Sequence, residues 1–307
     1  MSAGEYVAER VREHPEVAKR RLPKGFGGRM AKRLVLWTVI VLTLAPGYWV
    51  VEASLSKGSA FFSQGFPPHD LTFKNYTSLW TQTDFKIWVK NSMILCICVA
   101  TIATTISSLS AYAFSRLRFR GRKSGLTTML LIQMFPTTVA LPAYYLVLLW
   151  LGQHTTVGGT TILGLNTYQG LILILAGGSL AFQTWLAKGY FDNLPVELEE
   201  AAFVDGATRL KALRHVILPL AKPMLAVNFL FTFIGIYSEF ILTSLVINSN
   251  NKKTLPLGLN DFISDQFAQH WTQFAAAAVL TSIPILVVFL AMQRYLVSGL
   301  ARGAVRG

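Results

Sequence analysis

Six apolar runs, each about as long as a bilayer demands, constrain this chain more than any other feature. A helix needs about 20 mainly apolar residues to cross the hydrocarbon core. Leu34–Val51, Ile87–Phe114, Leu126–Leu151, Tyr168–Leu186, Met224–Ile247 and Phe274–Leu296 meet that demand. In lipid the backbone polar groups of a run must be satisfied within it, so each run is expected to be a helix. Of the 307 residues, 52% are hydrophobic and 14% charged, where soluble domains carry about 25% charged residues. The expectation is an all-α integral membrane protein with six transmembrane helices. An even number of crossings puts both termini on one side.

The net charge of +13 invites a nucleic-acid reading, which the distribution of that charge removes. Twenty-two of the 28 Lys and Arg residues lie in the tail before the first run, after the second, after the fourth and at or beyond the end of the sixth, where Arg294 falls just inside. The remaining six are Lys57, Lys74, Lys86, Lys90, Lys252 and Lys253, in the alternate segments or, for Lys90, at the adjoining start of the second run. Positive residues stay on the cytoplasmic side, so both termini and the segment 194–223 are expected to be cytoplasmic, with no need of nucleic acid. The cluster Lys19–Arg33 suits anionic lipid headgroups. The first run starts too late and is too long to be the h-region of a cleavable signal. The organisation expected is a basic tail (1–33), a first span (34–52), an external loop (53–86), a core (87–297) and a short cytoplasmic end (298–307).

The usual marks of catalysis are missing. Gly121-Arg122-Lys123-Ser124 lacks the upstream glycine spacing that cradles phosphates, so ATP hydrolysis is not expected of this chain. There is no His-Glu-x-x-His, and the five histidines fall on tails and loops, so no metal site is expected. Cys96 and Cys98 are two apart on an apolar helix, where residues do not face each other; they read as packing residues. Glu239 is the one acidic residue within a run. Such a charge marks a solute pathway or gate, or it is a packing carboxylate bonded to a nearby hydroxyl such as Ser238 or Tyr237. The third run carries Pro136 and Pro142, which bend a helix. With Gln133, Thr137 and Thr138 they suit a passage for a hydroxylated solute, or an ordinary kink. Gln133, Pro136, Thr137, Tyr237 and Glu239 are thus the candidate pathway or gate residues.

The polar segment 194–223 is the strongest candidate site. Glu197, Glu199 and Glu200 open a helix, where negative charge suits the positive end of the dipole. Ala201 and Ala202 leave a surface that another protein can approach closely. Gly206, after Asp205 and before Ala207, is expected to stop that helix. A second helix over Thr208–His215 follows, and Pro219 and Pro223 are expected to end the excursion.

Glu200-Ala201-Ala202-x-x-Asp205-Gly206-Ala207, closed by Ile217-Leu218-Pro219, resembles the cytoplasmic coupling loop of bacterial ABC importer permeases. The likeness extends to Asn91-Ser92, Arg118-Phe119-Arg120-Gly121, Gln133-Met134-Phe135-Pro136, Gly164-Leu165-Asn166-Thr167, Lys188-Gly189-Tyr190-Phe191, Phe274–Ala278 and Gln293–Leu300. From Asn91 onward the chain is similar to the MalG-like, maltose/maltodextrin branch of the binding-protein-dependent permeases. Two departures are the long basic tail and Tyr237-Ser238-Glu239-Phe240, where many sugar permeases carry Trp-Asn-Glu-Phe. The resemblance implies a type I importer permease (MetI-like) fold with a cytoplasmic coupling helix, in the bacterial inner membrane. It also implies Glu200, Ala201, Ala202, Asp205, Gly206, Ala207, Leu218 and Pro219 as ATPase-coupling residues. The partners implied are a second, MalF-like permease, a homodimer of cytoplasmic ABC ATPase that binds the ATP and Mg, and an extracytoplasmic sugar-binding protein. The cargo implied is a maltose-type sugar moved by alternating access, with trehalose, another oligosaccharide or glycerol phosphate as alternatives. A stand-alone channel would leave the 194–223 loop without a purpose.

Overall fold

The computed structural model of the chain is helical along most of each apolar run. It describes residues 26–58, 71–264 and 270–304; of the cluster Lys19–Arg33, Lys19, Arg20, Arg21 and Lys24 therefore lie outside the described residues. The chain divides into two units, Met1–Glu52 and Ala53–Gly307. The first is known through helix α1 (Phe26–Leu55), which begins inside the segment expected to be tail and exposes Leu34, Trp37 and Leu42.

The second unit holds α2 (Lys74–Gln82), α3 (Phe85–Arg116), α4 (Arg122–Gln133), α5 (Leu141–His154), α6 (Tyr168–Asp192), α7 (Glu197–Val204), α8 (Arg209–Leu220), α9 (Lys222–Tyr237), α10 (Ile241–Val246), α11 (Leu255–Asp261) and α12 (Trp271–Ala304). The long α3 packs along α6 and α9, and α9 packs along α12. A two-residue hairpin, β1 (Thr156–Val157) with β2 (Thr160–Thr161), pairs Thr156 with Thr161. The core has three parts. One, around Phe85, Trp88, Phe233 and Tyr237, brings Gly258 of α11 against the Trp88 ring, where a Cβ would sit 2.0 Å from it. A second joins Leu95 and Val99 of α3 to Leu171 and Leu175 of α6. The third, at the end of the bundle that carries the polar loop, joins Tyr112, Ala187, Phe191, Leu213 and Ile217.

Two runs expected to be single spans are broken. Among the described residues, four helices are long and apolar enough to cross a membrane (α1, α3, α6 and α12), and a fifth crossing results if α8 and α9, bent by 75°, count as one. The third run, expected as one kinked helix, is two. Pro136 offers no N–H, and the chain unwinds through Met134–Ala140 in turns closed by Val139 N–H on Pro136 O and Ala140 N–H on Thr137 O. Pro142 then sits in the first turn of α5, where its missing donor costs nothing. The fifth run is likewise interrupted, at Ser238–Phe240. Glu239 thus lies between two helices, not within one.

Candidate functional site

The loop 194–223 is clamped on one side and bare on the other. Three glutamates open α7, but they do not share one environment: Glu199 is buried and Glu200 exposed. The Glu199 carboxylate is paired with Arg116 at the end of α3, Nε to Oε1 at 3.2 Å, with 10% and 4% of the two side chains exposed. The same guanidinium donates from Nη2 to the Leu194 carbonyl at 2.8 Å. Leu213, Ile217 and Ala221 tuck the underside of α8 against α3 and α6.

The reversal at Gly206 is built as the sequence leads one to expect. Gly206 has φ +79°, a left-handed conformation that glycine adopts without strain. Its N–H bonds to Phe203 O at 3.0 Å, and the next, Ala207 N–H, reaches back to Ala202 O at 2.9 Å. This pair of bonds is the Schellman termination. Asp205 N–H is likewise bonded to Ala201 O, at 3.0 Å. Thr208 then caps α8, its hydroxyl accepting from Lys211 N–H at 3.3 Å.

Pro219 does not end α8; the helix runs through it to Leu220 and bends into α9 at Ala221. A π-helical turn over Leu213–Ile217 precedes the proline, and Leu218 N–H reaches back to Leu213 O. The widened turn makes room for a ring that would otherwise meet the preceding carbonyls. The bare face of the loop carries Glu200 and Ala201 beside apolar side chains: Val204 is 88% exposed and Leu210 69%, with Phe203 and Leu198 also open.

The candidate pathway residues fall in two places. Gln133, Pro136 and Thr137 are exposed at the α4–α5 break. Tyr237 is buried at the end of α9 and donates to Thr281 O of α12 at 2.9 Å. Beside it a cleft of about 360 Å³ opens between Ser238, Leu255, Leu259 and Ser282. Glu239 accepts the Leu242 N–H at 2.7 Å, tying down the first turn of α10; of the two hydroxyls that the packing reading offered it, Ser238 bonds Ile234 O and Tyr237 bonds Thr281 O. No hydrogen bond or ion pair joins the two groups among the described residues.

Residues 103–302 match the family described as binding-protein-dependent transport system inner membrane component. The chain belongs to that family. It is 37% identical over 291 residues to the maltose/maltodextrin transport system permease protein MalG of Photorhabdus laumondii subsp. laumondii, a match that covers 91% of this chain and 96% of the relative. Against the maltodextrin transport system permease protein MdxG of Bacillus subtilis it is 38% identical over 276 residues, 88% and 95% of the two chains. A chain from a bacterial ABC transporter involved in the import of the acidic polysaccharide alginate shares the fold, with a TM-score of 0.73 at 23% identity over 89% of this chain and 99% of that one.

In this permease, two amides stood out less in the sequence than their surroundings warrant. Gln183 of α6 receives the Ser107 hydroxyl at 3.2 Å and donates to the Thr232 hydroxyl; Asn228 of α9 donates to the Gln183 carbonyl at 3.2 Å. These buried groups stitch α3, α6 and α9 together. Their signal in the sequence is the uncharged amide set in an apolar run, where polar side chains bond across helices.

Proposed function

We propose that this permease is the transmembrane subunit of an ATP-driven importer for maltose- or maltodextrin-type sugars, working by alternating access. Six crossings place both termini and the loop 194–223 in the cytoplasm, with α4 and α5 together making the third crossing. The exposed face of α7 and the start of α8 docks on a separate ATPase, a homodimer that binds ATP and Mg. A second, MalF-like permease completes the channel, and an extracytoplasmic binding protein delivers the sugar. Gln133, Pro136 and Thr137 on one side, and Tyr237 and Glu239 on the other, contribute to the passage or its gate.

One observation carries this reading: a loop fixed to the bundle by a buried ion pair and an apolar underside, yet presenting Phe203, Val204 and Leu210 to solvent. Exposed apolar side chains gathered on a rigid element mark a protein-binding surface. Motion of a bound partner reaches α3 and α6 through the clamp, and it can shift the equilibrium only if docking free energy differs between the two states. The test is purification of the tagged chain from membranes, followed by sugar uptake in vesicles. An ATPase should accompany the chain, and uptake of maltodextrin should need ATP and the binding protein. Uptake without an ATPase would overturn the proposal.

A further inference from the structure

The turn between α3 and α4 holds a concentration of charge that the transport reading leaves unused. Arg118, Arg120, Arg122 and Lys123 fall within six residues, and no Asp or Glu occurs between Asp84 and Asp192. Arg122 is engaged, donating to the Ser115 carbonyl at 3.0 Å. Among the described residues, the side chains of Arg118, Arg120 and Lys123 make neither a hydrogen bond nor an ion pair, and all three residues are exposed. Arg118, Arg122, Lys123, Gly121 and Ser124 line a cleft of about 510 Å³. The N–H groups of Lys123 and Ser124, in the first turn of the 12-residue α4, find no acceptor in the described protein and open toward the same positive end.

The turn is also apolar where a membrane protein would touch lipid. Phe119, between the arginines, is 45% exposed and leans on Phe114 at a ring distance of 5.5 Å. Ile102, Ile106 and Leu109 are exposed on α3. Their spacing of four and three residues puts them on one face, in a stripe that descends toward the turn. A cationic cleft at the foot of an apolar stripe matches a phospholipid: phosphate above, acyl chain alongside. Guanidinium groups take phosphate oxygens in pairs.

We propose that this cleft is a binding site for the headgroup phosphate of an anionic phospholipid in the cytoplasmic leaflet. The site anchors the α3 end on which the 194–223 loop is clamped, two residues before Arg118. The assignment rests on the cytoplasmic placement proposed above, and the experiment keeps the two separable. Ser124→Cys, carrying a fluorophore, reports from the cleft in the intact complex held in phosphatidylcholine nanodiscs. Spin-labelled phosphatidylglycerol should quench it at far lower mole fraction than spin-labelled phosphatidylcholine. Removing one cation should weaken that preference about fivefold, and Arg118→Gln with Arg120→Gln and Lys123→Gln roughly a hundredfold. Arg118→Lys with Arg120→Lys, which keeps the charge, should retain most of it. Equal quenching by both lipids in the parent protein, or an unchanged preference in the triple variant, overturns the site. Displacement by millimolar inorganic phosphate would give the cleft to a soluble anion and overturns the lipid. Labelling of the thiol of the Ser124→Cys variant by an impermeant reagent from outside the cell overturns the cytoplasmic placement and with it the leaflet; labelling from inside, with lipid preference lost in the triple variant, supports both.

Discussion

Arg116 holds Glu199 across 83 residues of sequence, and it does so where neither side chain is more than a tenth exposed. One guanidinium at the foot of α3 grips both the entry to the loop, at Leu194 O, and the first turn of α7. Movement of α7 is therefore passed to α3, the helix with the most extensive packing in the bundle.

Breaking one half of this pair should be worse than removing both. A lone buried charge costs roughly 3–5 kcal/mol, whereas a pair replaced by apolar side chains of similar volume is often neutral. Arg116→Met and Glu199→Met singly should therefore lower thermal stability and ATP-coupled uptake, and the double variant should recover much of the stability. Arg116→Lys restores charge without the fork and should rescue in part. A double-mutant cycle on melting temperature measures the coupling; strictly additive losses would show that the two groups do not act together.

Gly206 should respond to backbone geometry and not to space. A Cβ at this position meets nothing within 4 Å, but φ is +79°. Gly206→Ala is expected to cost about 1 kcal/mol, the strain of a left-handed residue with a side chain, and to leave most uptake. Gly206→Pro forbids that φ and removes the N–H bonded to Phe203. It should abolish ATP-dependent uptake while the chain stays in the membrane. Glu200→Lys, on the bare face, should weaken ATPase docking at normal abundance. Uptake and stimulated ATP hydrolysis in vesicles, with membrane abundance as control, decide; normal uptake in both Gly206→Pro and Glu200→Lys would remove the loop from the coupling path.

Gly206 was legible in the sequence because its requirement is local: a helix that must reverse needs a residue free to take positive φ. Pro136 and Pro142 were legible for the same reason, although as a kink, since no local rule separates a bent helix from two helices. Glu199 could not be told from Glu197 and Glu200. Which of three acids in one turn is buried depends on an arginine far along the chain. Glu239 was misplaced because its neighbours are apolar on both sides and hydropathy averages over a break of three residues. The exposed Val204 and Leu210 were unreadable as a surface until the fold showed which face of the loop is covered.

Glu239 should matter as an acceptor before it matters as a charge. Its Oε1 receives the Leu242 N–H at 2.7 Å, one of the donors that a helix start leaves without an intrahelical partner. Glu239→Gln keeps an oxygen there and should hold the melting temperature close to that of the parent. Glu239→Ala loses the acceptor, a capping cost of about 1 kcal/mol. Sugar preference should be unchanged in both; a reordered preference would put the side chain against the solute.

The broken third run makes topology the sharpest test of the architecture. At about 1.5 Å per residue, α4 and α5 are each roughly 20 Å long, short of a core about 30 Å thick, whereas the two in series are long enough. If they cross together, the α3–α4 turn and the 156–161 hairpin lie on opposite sides, and α6, with 25 residues, returns the chain to the side of the turn. Reporter fusions after Arg122 and after Asp205 should then read cytoplasmic, and fusions after Gly158 and after Lys252 external. The competing geometry is a re-entrant pair, in which α4 dips into the bilayer and α5 climbs back. It would put Gly158 on the same side as Arg122, force α6 to carry Asp205 to the opposite face, and leave the apolar surface of α7 and α8 where no cytoplasmic ATPase reaches it. A cytoplasmic signal at Gly158 together with an external one at Asp205 would therefore reject the six-crossing reading and the coupling role of the loop at once.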